Sequence, residues 1–203
     1  VQTCALPISN AARWGTRMGD EAMVDMLLGA LHDPFGGGHM GITAENVARL
    51  YKISREEQDA FAADSQRKAL AAIEAGYFKS QIVPVEIKSR KSVVNFDTDE
   101  HPKADTTVES LAALRPTFVK ENGTVTAGNA SGLNDGAAAC VLMEASAASK
   151  ANLQPLARLV SYAVAGVDPS LMGTGPIPAV KLALQRAGLK DRKSTRLNSS
   201  HVA

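Results

Sequence analysis

The chain has 203 residues, 45% of them hydrophobic and 21% charged, with a formal net charge of +1. That is ordinary globular composition, enough for one large domain or two small ones. Near-neutral charge and 4% aromatics give no case for nucleic-acid binding through phosphate attraction or base stacking. No apolar run reaches the length of a membrane span. Two cysteines, Cys4 and Cys140, make neither a disulfide framework nor a CxxC metal pair. A reducing cytoplasm is the default location.

Taken in order, residues 1–9 (VQTCALPIS) lack the basic start and long apolar core of a signal peptide. They read as foreign or unstructured, as does the polar, Ser-rich tail 192–203. Between them, residues 10–38 carry Met23, Met26, Leu27, Ala30 and Leu31 at helical spacing and end in Asp33-Pro34 and a triple glycine. In HMGITAENVARLY, Thr43 suits an N-cap and Val47, Leu50 and Tyr51 form one apolar face. His39 and Met40 then lie just before a helix N-terminus, where anions are favoured. As a lone histidine, His39 reads first as a structural residue, with a ligand-facing role as the alternative.

Residues 54–75 form the clearest helix, with Ser54 and Glu57 as a capping box and Gly76 as the stop. Phe61, Ala69, Ala72 and Ile73 are its expected packing stripe, and the charged residues around them a solvated face. Residues 81–87 and 92–96 alternate like strands, with Pro84 suggesting an edge. HPKAD (101–105) is loop, and a helix from Thr107 to Leu114 stops before Pro116.

The stretch 125–143, VTAGNASGLNDGAAACVLM, is the centre of the chain. A β-prone start leads into a small-residue loop and then an apolar run that places Cys140 in buried surroundings as an inert thiol. Gly128 and Gly132 have no Cβ, so the backbone there can approach something bulky, and Ser131 offers a hydroxyl to a polar ligand. A tight strand-to-helix turn with no ligand fits the same composition. Residues 145–152 suggest a short helix, 156–163 a strand, and 166–178 a Gly/Pro-rich loop. Pro178 opens a last helix with the face Val180, Ala183, Leu184 and Ala187, closed by Gly188. Strand, loop and helix in succession indicate an α/β layered fold.

At HMGITAEN, SREEQDAFA, AGYFK, LRPTF, KENGTVTAGNASGLNDGAA and MGTGPIPA, in this order, the chain resembles the thiolases. The similarity runs through about residues 10–190. It implies a partial α/β/α thiolase architecture, with residues 10–152 as a portion of the N-terminal domain that includes the coenzyme A (CoA) loop domain. Residues 153–191 would then begin the C-terminal domain. The implied activity is Claisen condensation of acyl-CoA or thiolysis of 3-ketoacyl-CoA, as in acetyl-CoA acetyltransferases, by an enzyme that assembles as a dimer or tetramer. By position, His39 and Met40 match residues along the pantetheine and acyl group. Ser131 and Ala127 match the loop at the pantetheine arm, and Met172 the acyl pocket. Lys103 stands where relatives often have an arginine near the nucleotide. It keeps the charge but loses the bidentate fork. Ser110 falls on the same CoA-facing helix.

The resemblance implies a CoA thioester as substrate, and no metal or redox cofactor is expected from the histidine spacing. The four histidines, His32, His39, His101 and His201, show no ligand spacing. The potassium-dependent branch of the family places a tyrosine at the position of Gln66, which speaks against a potassium site. The family's reacting groups are a cysteine early in the chain and a histidine and second cysteine late in it. Neither Cys4 nor Cys140 lies in a matching motif, so no catalytic residue is expected in this chain. Two other readings are a non-catalytic CoA-binding module and a purely structural domain.

Overall fold

A computed structural model describes residues 18, 23–90 and 92–189. The expectations for 1–9, for the opening of the 10–38 stretch, for Cys4 and for the tail with His201 lie outside the described residues. These residues fall into two compact units, 23–43 with 133–189, and 44–132.

Caps decide where the helices begin. Helix α1 (Met26–Ala30) starts at Asp25, whose carboxylate accepts the Leu28 amide at 3.0 Å. A two-residue hairpin follows, β1 (His32–Asp33) against β2 (Gly38–His39). Its turn needs positive φ at Gly36 (93°) and Gly38 (79°), which glycine adopts without strain. Helix α2 (Met40–Tyr51) begins earlier than the expected Thr43 cap. His39 Nδ1 accepts the Gly41 amide at 3.0 Å and takes the capping role, while the Thr43 hydroxyl donates back to the Met40 carbonyl at 2.8 Å.

In the 44–132 unit, α3 (Arg55–Glu74) opens on the expected capping box of Ser54 and Glu57. Its packing stripe differs from expectation. Ala72 is buried, but Phe61 and Ile73 are exposed, and Asp59, expected on the solvated face, is only 1% exposed. The reason is an ion pair with Arg55 and a distant partner, described below, which outweigh the weak stripe of an Ala-rich helix. Strands β3 (Val85–Lys88) and β4 (Val93–Phe96) form an antiparallel hairpin with Val85 opposite Phe96 and Lys88 opposite Val93. Helix α4 (Val108–Ala112) is capped by Thr107. Its Leu111, with Ala48 of α2, Ala72 and Val125, makes the small apolar core of this unit.

In the other unit, α5 (Ala145–Lys150) buries Ala148. A 3-10 turn, Pro169–Thr174, lies within the expected loop. Helix α6 (Pro176–Ala187) begins at Pro176 rather than Pro178, because a proline at the first helical position gives up no hydrogen bond. It ends at Gly188 in the left-handed conformation, φ 66°. Two expectations fail here. Residues 156–163 belong to no strand, since a strand forms only with a ladder partner and none is paired to them among the described residues. The run 137–143 is likewise outside any element, and Cys140 is exposed rather than buried. Among the described residues no helix is long and apolar enough to cross a membrane.

Candidate functional site

The loop 124–132 is built on two buried carboxylates. Glu45 of α2, 4% exposed, faces the start of the loop. Its carboxylate accepts the Thr124 amide (2.9 and 3.0 Å), the Thr124 hydroxyl (2.8 Å) and the Val125 amide (2.9 Å). Charge-assisted bonds of this kind are about twice as strong as neutral ones. Asp59 of α3 faces the middle of the loop. One carboxylate oxygen accepts from Arg55 Nε at 2.7 Å and the other from Asn129 Nδ2 at 2.9 Å.

Asn129 then ties the turn together. Its Oδ1 accepts the Thr126 amide at 2.8 Å, and its Nδ2 donates also to the Thr124 carbonyl at 2.9 Å. The fully buried Thr126 hydroxyl accepts the amides of Gly128 (3.2 Å) and Asn129 (3.3 Å). Both loop glycines sit at close approaches, as the sequence suggested. A Cβ on Gly128 would lie 2.4 Å from Leu111 Cδ2 and 2.5 Å from Leu114 Cδ1. A Cβ on Gly132 would lie 2.5 Å from the His101 ring. The backbone passes tight over α4 on one side and over the 101–105 loop on the other.

Within this unit the structure brings four expected residues onto connected segments. Ala127 and Ser131 are exposed on the anchored loop, and the Ser131 hydroxyl donates to the Gly132 carbonyl at 3.0 Å. Lys103 is exposed two residues from His101, and its amide donates to Gln66 Oε1 at 3.0 Å. Gln66 therefore holds the Lys103 segment onto α3. Ser110 is exposed on α4, but its hydroxyl is engaged in the helix cap, accepting the Thr107 amide and donating to the Thr107 carbonyl, both at 2.9 Å. That leaves it a poorer ligand contact than Ser131.

The other unit carries His39, Met40 and Met172. His39 is half-buried and its ring meets His32 edge-on, with centroids 5.3 Å apart. Since Nδ1 accepts a backbone amide, the neutral ring carries its proton on Nε2. Met40 opens α2, and Met172 is 41% exposed in the 3-10 turn.

Sequence reasoning passed over Glu45, Arg55, Asp59, Asn129 and His101. Asn129 lies between residues that were singled out, so the loop itself held that signal. The acids held none, because charges on a helix read as solvated until a partner far along the chain is known. A cavity of about 450 Å³ is lined by Tyr51, Phe61 and Asn129 among others. It includes none of the expected binding residues. Among the described residues no group of three or more His, Cys, Asp or Glu is placed to hold a metal ion.

Comparison with known proteins adds a family and a length. The family description "Thiolase, N-terminal domain" matches residues 4–146, and "Thiolase, C-terminal domain" matches 153–197. Beta-ketothiolase BktB of Cupriavidus necator is 65% identical over 90% of this chain and 46% of its own length. The crystal structure of Bacillus anthracis acetyl-CoA acetyltransferase superimposes with a TM-score of 0.79 at 50% identity, covering 92% of this chain and 47% of that one. Human mitochondrial 3-ketoacyl-CoA thiolase in complex with CoA gives 0.78 at 45% identity, covering 92% and 46%. The chain spans about half the length of the curated relatives it matches.

Proposed function

Because this chain belongs to the thiolase family and carries part of its α/β fold, we propose that it is part of an acetyl-CoA C-acetyltransferase. Such an enzyme condenses acyl-CoA in a Claisen reaction or cleaves 3-ketoacyl-CoA with free CoA. The observation that carries this reading is 65% identity to a beta-ketothiolase across 90% of the chain. The full-length protein in this reading is a cytoplasmic homodimer or homotetramer that works without metal or redox cofactor.

A CoA thioester presents an anionic nucleotide, an amide-rich arm and a small acyl tip. Lys103 is the cation for the first, and the exposed edge of the anchored loop, Ala127 and Ser131, lies along the second. The resemblance to thiolases assigns Met40 and Met172 to the third and His39 to the arm. Ser110 is a minor contact, since its hydroxyl already serves the α4 cap. A loop of small residues suits such a ligand, because the arm needs hydrogen bonds and little volume.

Binding residues alone do not exchange thioesters. That step needs a thiolate of lowered pKa and a base beside it. We assign neither role in this chain. The exposure of Cys140 makes it accessible without activating it. Thiolysis of acetoacetyl-CoA tests this directly, with full-length protein and with the 203-residue chain at high concentration, followed by mass spectrometry. The full-length protein turns over and the shorter chain forms no acyl adduct. An adduct on Cys140, with turnover above a Cys140→Ser control, overturns the assignment.

A further inference from the structure

We propose that Arg55 and Asp59 are positioning residues for the CoA thioester, acting through Asn129 and α4. The inference rests on the functional reading above and names what sets the shape of that site. One ion pair on α3 reaches both segments assigned to the ligand. Arg55 Nη2 donates to the Leu111 carbonyl at 2.7 Å and the Leu114 carbonyl at 3.0 Å, which fixes the end of α4. Arg55 Nε pairs with Asp59 at 2.7 Å, and the second oxygen of Asp59 accepts from Asn129 at 2.9 Å, which fixes the 127–131 loop.

An ionised carboxylate only accepts, so Asp59 dictates which end of the Asn129 amide faces it. With Nδ2 toward Asp59, Oδ1 is left to take the Thr126 amide, and the turn closes with Ser131 outward. A carboxylate buried with a guanidinium is weak evidence of stability in itself, because desolvation offsets much of the attraction. What distinguishes this pair is that neither partner stops at the other. Each continues to a backbone or side chain on a different segment, so the spacing between α4 and the loop is set from α3.

The test uses the full-length protein and three variants. Asn129→Asp keeps the size but sets a second carboxylate against Asp59, and Asp59→Asn removes the charge. Ala71→Gly weakens α3 by about 1 kcal/mol at an exposed position with no part in the Arg55–Asp59–Asn129 network, so it serves as the control. Amide hydrogen exchange of segment 124–131 and steady-state thiolysis of acetoacetyl-CoA are read together. Both site variants exchange faster in that segment and raise KM for the thioester about tenfold, a loss of about 1.4 kcal/mol, with a smaller change in kcat. Ala71→Gly changes neither. If exchange stays at the wild-type rate, or if Ala71→Gly raises KM equally, the pair is only structural and the proposal falls. If the wild type shows no thiolysis, the functional reading fails instead, and the exchange data still decide whether Asp59 sets the loop. Should Asn129→Asp not fold, Asp59→Asn with Ala71→Gly gives the same decision.

Discussion

Residues 44–132 bury polar groups and satisfy them, whereas residues 133–189 leave apolar groups in water. In the first, Glu45, Asp59 and Thr126 are all under 5% exposed and each has several named partners. In the second, Val141 is 84% exposed, Leu142 79%, Leu156 105% and Val164 84%. Two bonds tie 161–162 to α6, the Ser161 hydroxyl to the Ala183 carbonyl at 2.6 Å and Arg186 to the Tyr162 carbonyl at 2.8 Å. They fix the course of the backbone without covering the side chains. The first region meets its buried polar groups by contacts within itself, although Phe61 and Val83 lie in water there as well. The second leaves several large apolar side chains uncovered, and apolar exposure that gathers into a patch is the mark of an interface.

The strongest way to break this contrast is to take one acid from the first region. Glu45→Ala strands the buried Val125 amide and the partly buried Thr124 amide and hydroxyl. An unmet buried donor costs about 1–3 kcal/mol, so the variant loses about 4 kcal/mol in urea unfolding of the full-length protein. Glu45→Gln, which keeps acceptor oxygen, loses less than half of that. Equal losses would mean that side-chain volume rather than hydrogen bonding holds the loop.

Leu142→Asp sharpens the other side. In the 203-residue chain the position is in water, so the change moves stability by no more than about 0.5 kcal/mol and lowers light scattering from aggregates. In the full-length protein the same charge falls where apolar contact is expected, at about 3 kcal/mol for an unpaired buried charge. If the two proteins respond alike, the exposed run is not covered by further chain.

How much of this was legible follows the same division. The Ser54–Glu57 box and the Gly188 stop are short-range matters, and each stands where the residues indicated; the missing Cβ of Gly128 marks a close approach, while the partners it meets, Leu111 and Leu114, lie further back along the chain. Asp59 and Phe61 exchanged places between core and surface because the deciding partner, Asn129, is 70 residues away. Periodicity along an Ala-rich helix holds no record of such a partner. The alternation at 156–163 indicates a strand that does not form, because a pattern becomes a strand only when a second strand accepts its backbone bonds. Cys140 failed for that reason too. His39 and Met40 were legible as helix-start residues, while the identity of the cap, His39 rather than Thr43, depended on ring orientation.

A smaller effect tests the glycine reading. Gly128→Ala puts a methyl group against Leu111 and Leu114, whose side-chain ends must give way. Overpacking of this kind costs about 1–3 kcal/mol, against a gain of a few tenths from the stiffer unfolded chain. The net loss is about 1 kcal/mol in thermal unfolding. Leu114→Ala on that background makes room and recovers part of it. A double variant less stable than the sum of its singles contradicts the contact.

The smallest effect comes from charge at the surface, where the first region should be indifferent. On α3, Asp64 pairs with Lys68 at 2.7 Å and with Arg67. The hydrogen bond from Lys68, and after it that from Arg67, holds the Asp64 carboxyl below its ordinary value. A carboxyl whose pKa is depressed on folding stabilises the fold above its unfolded pKa and loses that contribution as pH falls through the folded one. Exposed pairs are screened and weak, unlike the buried Asp59 with its partners. The wild type is therefore slightly more stable than Asp64→Asn at neutral pH, and the gap closes on acidification below the normal carboxylate range. Added salt at neutral pH narrows it as well. Parallel urea titrations of the two proteins from pH 7 to pH 3 cancel the other carboxylates, which titrate alike in both. A gap that widens as the pH falls would reverse the sign assigned to Asp64 and put its anchoring elsewhere than in Lys68 and Arg67.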